Sequence, residues 1–292
     1  MLCVALLALA HWAHRGATLL SLSVLAAMVT LCFWPPVCDV GKQTFGRFVV
    51  RHSAEYFPLD IHVEDEAAFD AGTKYIFACE PHCFLPLGVF ALCDLVGALP
   101  RSMRGPADGV RILGSSAVLH LPLLRQIVYW VGFRSVDKAS FRKELAMGHS
   151  CALVPGGAYE VVHQMICGSA LEAARVMLRR RLGFVRLAIE ADAQVVPVAL
   201  YGGEDLYDME QRFCRMTLVK KLTTAMRFAP VFFWGRPVFG VGFMCPVPRQ
   251  KPLRIVIGKP LKCDKGLEGS HAALVEAWDA TYERHREAPA EQ

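Results

Sequence analysis

The residues whose types and spacing could do chemistry sit directly after short apolar runs. Cys79-Glu80-Pro81-His82-Cys83 ends the run TKYIFAC and precedes an apolar segment. A histidine at the carboxyl end of a strand stands where α/β folds gather ligand-handling residues. Imidazole titrates near neutrality, so His82 can take a proton from a hydroxyl and return it to a leaving group. A structural or surface histidine is the plainer alternative. Cys79, His82 and Cys83 find no fourth ligand at a familiar spacing, and no metal is expected. The second group is Val154-Pro155-Gly156-Gly157-Ala158-Tyr159-Glu160. Adjacent glycines let backbone approach a ligand, and consecutive N–H groups ahead of a helix can hold an anionic oxygen, although a simple turn uses the same residues. Glu160 can orient an imidazole or cap its own helix. The third group is basic: Arg179, Arg180, Arg181 and Arg186, with Lys138, Arg142 and Lys143 upstream. Such residues suit a phosphate-bearing substrate or an anionic membrane surface, and equally a solvated helix face.

These groups need a scaffold, and the chain alternates in a way that supplies one. Strands are expected at Lys74–Cys79, Arg111–Leu113, Cys151–Val154, Gln194–Leu200 and Leu253–Ile257, each short and rich in β-branched or other apolar residues. Helices are expected at Lys138–Gly148, Ser169–Arg181, Gly183–Ala191, Asp205–Arg227 and Ser270–Arg286. Strands separated by helices imply an α/β domain with a mostly parallel or mixed sheet flanked by helices. Phe84–Pro100 is nearly uncharged and broken by Pro and Gly; it reads as a buried core helix, with a bilayer-interface segment as the alternative.

Composition limits the function classes. Of 292 residues, 54% are hydrophobic and 20% charged, against about 25% charged in soluble domains, and the net charge is +5. Disorder, a collagen repeat and nucleic-acid binding are poorly supported. The 11 cysteines are scattered and never spaced Cys-x-x-Cys, which fits buried thiols in a reducing compartment better than a disulfide framework. Residues 17–34, ATLLSLSVLAAMVTLCFW, carry no charge and end at Pro35-Pro36, long enough to cross a membrane core. Leu2–Ala13 is a shorter apolar run before them. The expectation is a membrane anchor over 1–36, a transmembrane hairpin or single span, rather than a cleaved signal peptide, because no basic segment precedes Leu2. Lys42, Arg47 and Arg51 beyond the span, against Arg15 before it, place the body over 37–292 in the cytosol.

In their order along the chain these segments resemble the type 2 diacylglycerol acyltransferase family, its plant and algal members in particular. That family also holds monoacylglycerol and wax-ester acyltransferases. The resemblance spans Tyr56 to Arg286 and rests on YIFACEPHCFLPLGVFAL, LGSSAVLHLPLLRQIVYWVGFRSVDKASF, SCALVPGGAYEVV, LGFVRLAIEADAQVVPVALYGGEDLYD and PLRIVIGKPL. It implies a glycerolipid-acyltransferase-like α/β fold and transfer of a fatty acyl group from acyl-CoA to diacylglycerol, giving triacylglycerol at the endoplasmic reticulum membrane and lipid droplets. Acyl-CoA is then a substrate, no cofactor is needed, and a homo-oligomer stays open. His82 becomes the expected general base, and the amides of Gly156 and Gly157 the expected oxyanion donors. Related glycerolipid acyltransferases carry a carboxylate five residues after the histidine; here that residue is Leu87. Glu160 is therefore the expected partner of the imidazolium, with Glu80 second. Pro81, Cys83, Arg186 and Glu204 are assigned to substrate contact. Cys83 could act as a thiol nucleophile, but the matching family position is commonly Ser or Gly.

Two other classes compete. A lipid hydrolase would use His82 to activate water, yet the chain has no Gly-x-Ser-x-Gly elbow. A lipid-binding scaffold would not need His82 or Glu160. The apolar character of the body outside 1–36 suits an acceptor and product that live in a bilayer, while the net positive charge suits coenzyme A and anionic headgroups.

Overall fold

The computed structural model of this chain describes residues 46–286 except 94–95, 122–123, 211–220, 222, 224–228, 230 and 239, together with Leu22, Ser23, Ala26 and Thr30, which are helical and exposed. Apart from those four residues, the expected anchor over 1–36 lies outside the described residues, as does the chain beyond Arg286. Among the described residues no helix is long and apolar enough to cross a membrane.

Among the described residues ten strands form two sheets. They are β1 Leu59–Val63, β2 Lys74–Glu80, β3 Val110–Gly114, β4 Phe133–Ser135, β5 Ser150–Leu153, β6 Ala193–Tyr201, β7 Asp208–Met209, β8 Phe233–Val238, β9 Val241–Phe243 and β10 Leu253–Ile257. The large sheet is seven-stranded in the order β1-β10-β6-β2-β5-β3-β4, and β7-β8-β9 make a small sheet. From β6 to β4 all neighbours are parallel; β10 runs antiparallel to β6 and parallel to β1. The expected mixed α/β sheet is therefore present, with all five expected strands in it.

Central strands buried on both faces carry continuous apolar runs rather than alternating ones. In β2, Tyr75, Phe77 and Cys79 face one layer, where Val89, Leu92 and Met103 pack with Val128 of helix α2 (Leu124–Trp130). Ile76 and Ala78 face the other, beneath α3 (Lys138–Ala146), α5 (Ala170–Arg180), α6 (Gly183–Glu190) and α7 (Gly266–His285), which contribute Phe141, Leu178, Val185 and Trp278. Ser169 caps α5 by accepting from the Glu172 amide at 3.2 Å. Phe84–Pro100 belongs to the core: its middle, Leu87–Leu92, is a 3-10 helix rather than an α-helix, broken up by Pro86 and Gly88.

One expected element is corrected. The helix over Asp205–Arg227 does not begin at Asp205: Gly203–Leu206 is a 3-10 turn and Asp208–Met209 is β7, paired with Phe233 and Trp234. Leu206 and Tyr207 are drawn into an apolar cluster with Phe84 and Phe233, and burial overrides the helical pattern there. Helix α1 (Arg47–Tyr56), helix α4 (Gly157–Cys167), β1 and the small sheet complete the fold.

Trp278 ties α7 to the central sheet: it is fully buried and donates its indole N–H to the Val198 carbonyl at 3.1 Å. Trp278→Ala is expected to lower the unfolding free energy by about 3–5 kcal/mol, measured by urea unfolding followed by circular dichroism.

Candidate active site

The carboxyl ends of β2, β5 and β6 meet at one edge of the large sheet, and the three glycine- or proline-rich segments that leave them build the site. Gly202, just past β6, has φ +82°, and a Cβ there would lie 2.1 Å from the Pro252 carbonyl oxygen, so only glycine admits this close approach. After β2, Glu80-Pro81, a cis peptide, leads to His82 and Cys83. After β5, Pro155 and Gly156 lead into α4.

Two buried carboxyls hold these segments together. Glu80 Oε1 accepts from the Gly156 amide at 2.8 Å, and Glu160 Oε1 accepts from the His82 amide at 2.6 Å. Both side chains are fully buried, and each Oε2 has no partner beyond the facing carboxyl. Glu160 folds back over the start of its own helix so closely that a Cβ on Gly156 would fall 1.9 Å from its Oε2. Burial first, then the Glu160 charge and a hydrogen bond between the two carboxyls, push Glu80 well above the usual glutamate value of 4.5. The Glu80 carboxyl therefore holds its proton to a higher pH than an ordinary glutamate.

His82 is part-buried, and its Nδ1 lies 2.9 Å from the Cys83 carbonyl oxygen. A carbonyl only accepts, so Nδ1 carries a hydrogen, and in the neutral ring Nε2 is the nitrogen with the lone pair. The ring lines a narrow cleft walled mainly by apolar groups, Leu85, Leu87, Leu200, Leu253 and Ile255 among them, with Tyr201 and Arg254 as polar members. Pro81 and Cys83 line it too. Cys83 stands at φ +53°, a left-handed conformation that costs a non-glycine residue about 1–2 kcal/mol. Its thiol is raised well above the usual value by burial first and then by the charges of Glu160 and Glu204. The thiolate is the nucleophilic form, so a thiol raised in this way weighs against the covalent reading of Cys83.

The site departs from the sequence expectations at three points. Glu160 was expected to hold the imidazole; it holds the backbone of His82 instead, and the ring is oriented by its neighbour's carbonyl. The Gly156 amide was expected to face an oxyanion, yet it is engaged by Glu80. Gly157, at φ +56° with open space above its Cα, is the position that leaves room for a ligand. Arg186 is exposed on α6 and takes no part in the contacts that join Glu80, Glu160 and His82. The cation that does act on Glu80 is Arg181, whose guanidinium also lies over the Tyr159 ring at 5.3 Å. The Arg179–Arg181 run carried that signal, but nothing in it singled out the third residue. Glu204 is exposed beside the Cys83 segment, where its charge acts on Cys83 and on Tyr282.

Two outcomes follow from the carboxyl pair. Glu160→Gln keeps an oxygen for the His82 amide and is expected to hold turnover within about tenfold of wild type, whereas Glu160→Ala releases the segment and loses about 100-fold, read as kcat across pH. Because the folded state raises the Glu80 value, it binds a proton that the unfolded chain gives up. That contribution to stability is present below 4.5 and is lost as pH rises through the folded value. Glu80→Gln, which mimics the protonated form, should flatten that fall in melting temperature with rising pH; an unchanged slope would place the proton elsewhere.

With the geometry in place, the kinship of the chain can be stated. A family model described as "Diacylglycerol acyltransferase" matches residues 17–288. A diacylglycerol O-acyltransferase 2 of Dictyostelium discoideum is 29% identical over 89% of this chain and 82% of its own length. A diacylglycerol O-acyltransferase 2A of Umbelopsis ramanniana is 28% identical over 87% and 76%, and a human 2-acylglycerol O-acyltransferase 3 is 26% identical over 82% and 72%. A solved 1-acyl-sn-glycerophosphate acyltransferase from Thermotoga maritima aligns over all of both chains with a TM-score of 0.46 and 10% identity. With a single family model covering nearly all of the body built around His82, the chain belongs to the diacylglycerol acyltransferase family.

Proposed function

We propose that His82 Nε2 is the general base for transfer of a fatty acyl group from acyl-CoA to the free hydroxyl of diacylglycerol, which forms triacylglycerol. Membership of the family makes the chain an O-acyltransferase acting on diacylglycerol; the roles of individual residues are our assignment. The observation that carries it is the fixed tautomer of His82: Nδ1–H is committed to the Cys83 carbonyl, and Nε2 is the basic nitrogen of a residue lining an apolar cleft.

The step balances without an acyl-enzyme. Nε2 takes the hydroxyl proton as the oxygen attacks the thioester carbonyl, and the tetrahedral oxyanion forms. Its collapse breaks the carbon–sulfur bond, and the coenzyme A thiolate leaves with the proton from the imidazolium. The Gly157 end of α4, carrying the positive end of an eleven-residue helix dipole, is the element we assign to the oxyanion. Glu160 and Glu80 act as positioning residues. We further propose that the enzyme works on the endoplasmic reticulum membrane with its body in the cytosol, and at lipid droplets, where acyl-CoA and membrane-borne acceptor meet. The charge asymmetry around residues 17–34 supports that orientation.

Monoacylglycerol is the second acceptor to weigh, since a relative named as a 2-acylglycerol O-acyltransferase matches most of the chain. Membranes holding the full chain, given labelled oleoyl-CoA with dioleoylglycerol, monooleoylglycerol or hexadecanol separately, are expected to yield mainly triacylglycerol. His82→Ala should lower that rate by about 10²–10⁴-fold with an unchanged melting temperature. Triacylglycerol that persists in the variant removes His82 as the base, and labelled free fatty acid without ester product points to a hydrolase.

A further inference from the structure

The small sheet has two faces of different character. Phe233, on the inner face of β8, packs against Phe84 with ring centroids 4.4 Å apart, and Phe84 is two residues from His82. On the outer face Phe232 and Phe243 are 46% and 50% exposed and stack at 6.0 Å, and Trp234 sits 5.5 Å from Phe243. Soluble surfaces rarely carry aromatic clusters of this kind. Arg236, two residues further along β8, is exposed and donates to the Tyr56 hydroxyl at 3.3 Å, and that hydroxyl in turn donates to the Pro248 carbonyl at 2.7 Å. Helix α1 is thereby pinned by its last residue to the small sheet. Phe48 of α1 is 54% exposed, beside exposed Arg47 and Arg51.

We propose that the outer face of β8 and β9, together with α1, docks on an anionic lipid bilayer and holds the His82 cleft against the leaflet that carries the acceptor. The second half of that statement rests on the acceptor reading above; the docking itself rests on the surface alone.

Three features point to a bilayer as the occupant. Aromatic rings with flanking arginines are the composition of a membrane interface, where rings sit at headgroup depth and cations meet anionic lipid. The uncharged stretch 17–34 ends a dozen residues before Arg47, so the apolar phase that takes it lies within about 40 Å of α1 by covalent reach. Finally, β1 begins at Leu59, directly after α1, and its partner Leu253 follows Pro252 against Gly202, so α1 and the site open on the same edge of the sheet.

The full chain can be reconstituted in phosphatidylcholine–phosphatidylserine vesicles with brominated acyl chains, and tryptophan emission compared between wild type and Trp234→Phe. The wild type is expected to lose the larger share of its emission, because Trp234 lies at bromine depth. A Phe232→Ser/Phe243→Ser double variant is expected to turn over vesicle-borne dioleoylglycerol about tenfold more slowly while keeping its rate on a short-chain diacylglycerol in detergent micelles. Equal quenching in wild type and Trp234→Phe overturns the docking, as does a double variant that changes both rates alike or neither. Detergent-stable dimers that the double variant dissolves, with Trp234 unquenched, would assign the face to a second copy instead. If no acyl transfer occurs on any acceptor, the functional reading fails while the quenching still decides the docking.

Discussion

The site depends on two buried carboxyls, Glu80 and Glu160, that tie two loops together. Two loop segments, one leaving β2 and one leaving β5, each bury a backbone amide, His82 and Gly156, that needs an acceptor. Each amide is satisfied by a carboxyl from the other side of the gap, Glu160 and Glu80. Two ionised carboxylates in that apolar space would repel strongly, and a single proton resolves the conflict. The pair acts as a stitch across parallel neighbouring strands, and Gly156 must be a glycine because the stitch passes directly over its Cα.

This constraint explains why the histidine can work without a carboxylate on its own turn. At the position where related acyltransferases carry one, Leu87 lines the cleft and adds apolar wall. The backbone of His82 is fixed by Glu160 and its ring by the Cys83 carbonyl, so the two jobs of an orienting acid are divided between groups that lie far apart in sequence. The left-handed turn at Cys83 brings that carbonyl to Nδ1 and turns the thiol toward Gly203, against which it packs. A glycine at position 83 would adopt the same turn without strain, which fits the Ser or Gly of relatives.

The sequence made the central strands legible because burial on both faces leaves an apolar run such as YIFAC that no loop would carry. It also made the site segments legible, since Glu-Pro-His-Cys and Pro-Gly-Gly-Ala-Tyr-Glu each follow such a run. What it hid has a common cause. The edge strand β1, LDIHV, has a neighbour on one side only and keeps polar residues, and β8 contains Gly235 and Pro237, so neither shows a clean period. The partners of His82 and Gly156 were equally hidden, because a hydrogen bond from a backbone amide leaves no mark on the residue that donates it. Glu160 could be named from its distance to the glycines, but whether it met the ring or the main chain depended on how the two loops face each other.

The dimensions of the cleft connect this chemistry to the apolar excess of the chain. Pockets that bury a whole drug-sized ligand hold about 300–1,000 Å³, whereas the enclosed room beside His82 is about that of one water molecule. Nearly all of the long acyl donor and acceptor must therefore lie outside it during the reaction. An acyl chain outside a cleft needs an apolar medium, since each methylene left in water costs about 0.8 kcal/mol. The walls therefore end where another apolar phase has to begin, and the exposed aromatics of the small sheet stand one side-chain layer from Phe84 at that margin. An enclosed pocket large enough for both lipids would have made such a surface unnecessary; a short cleft makes it part of the same design.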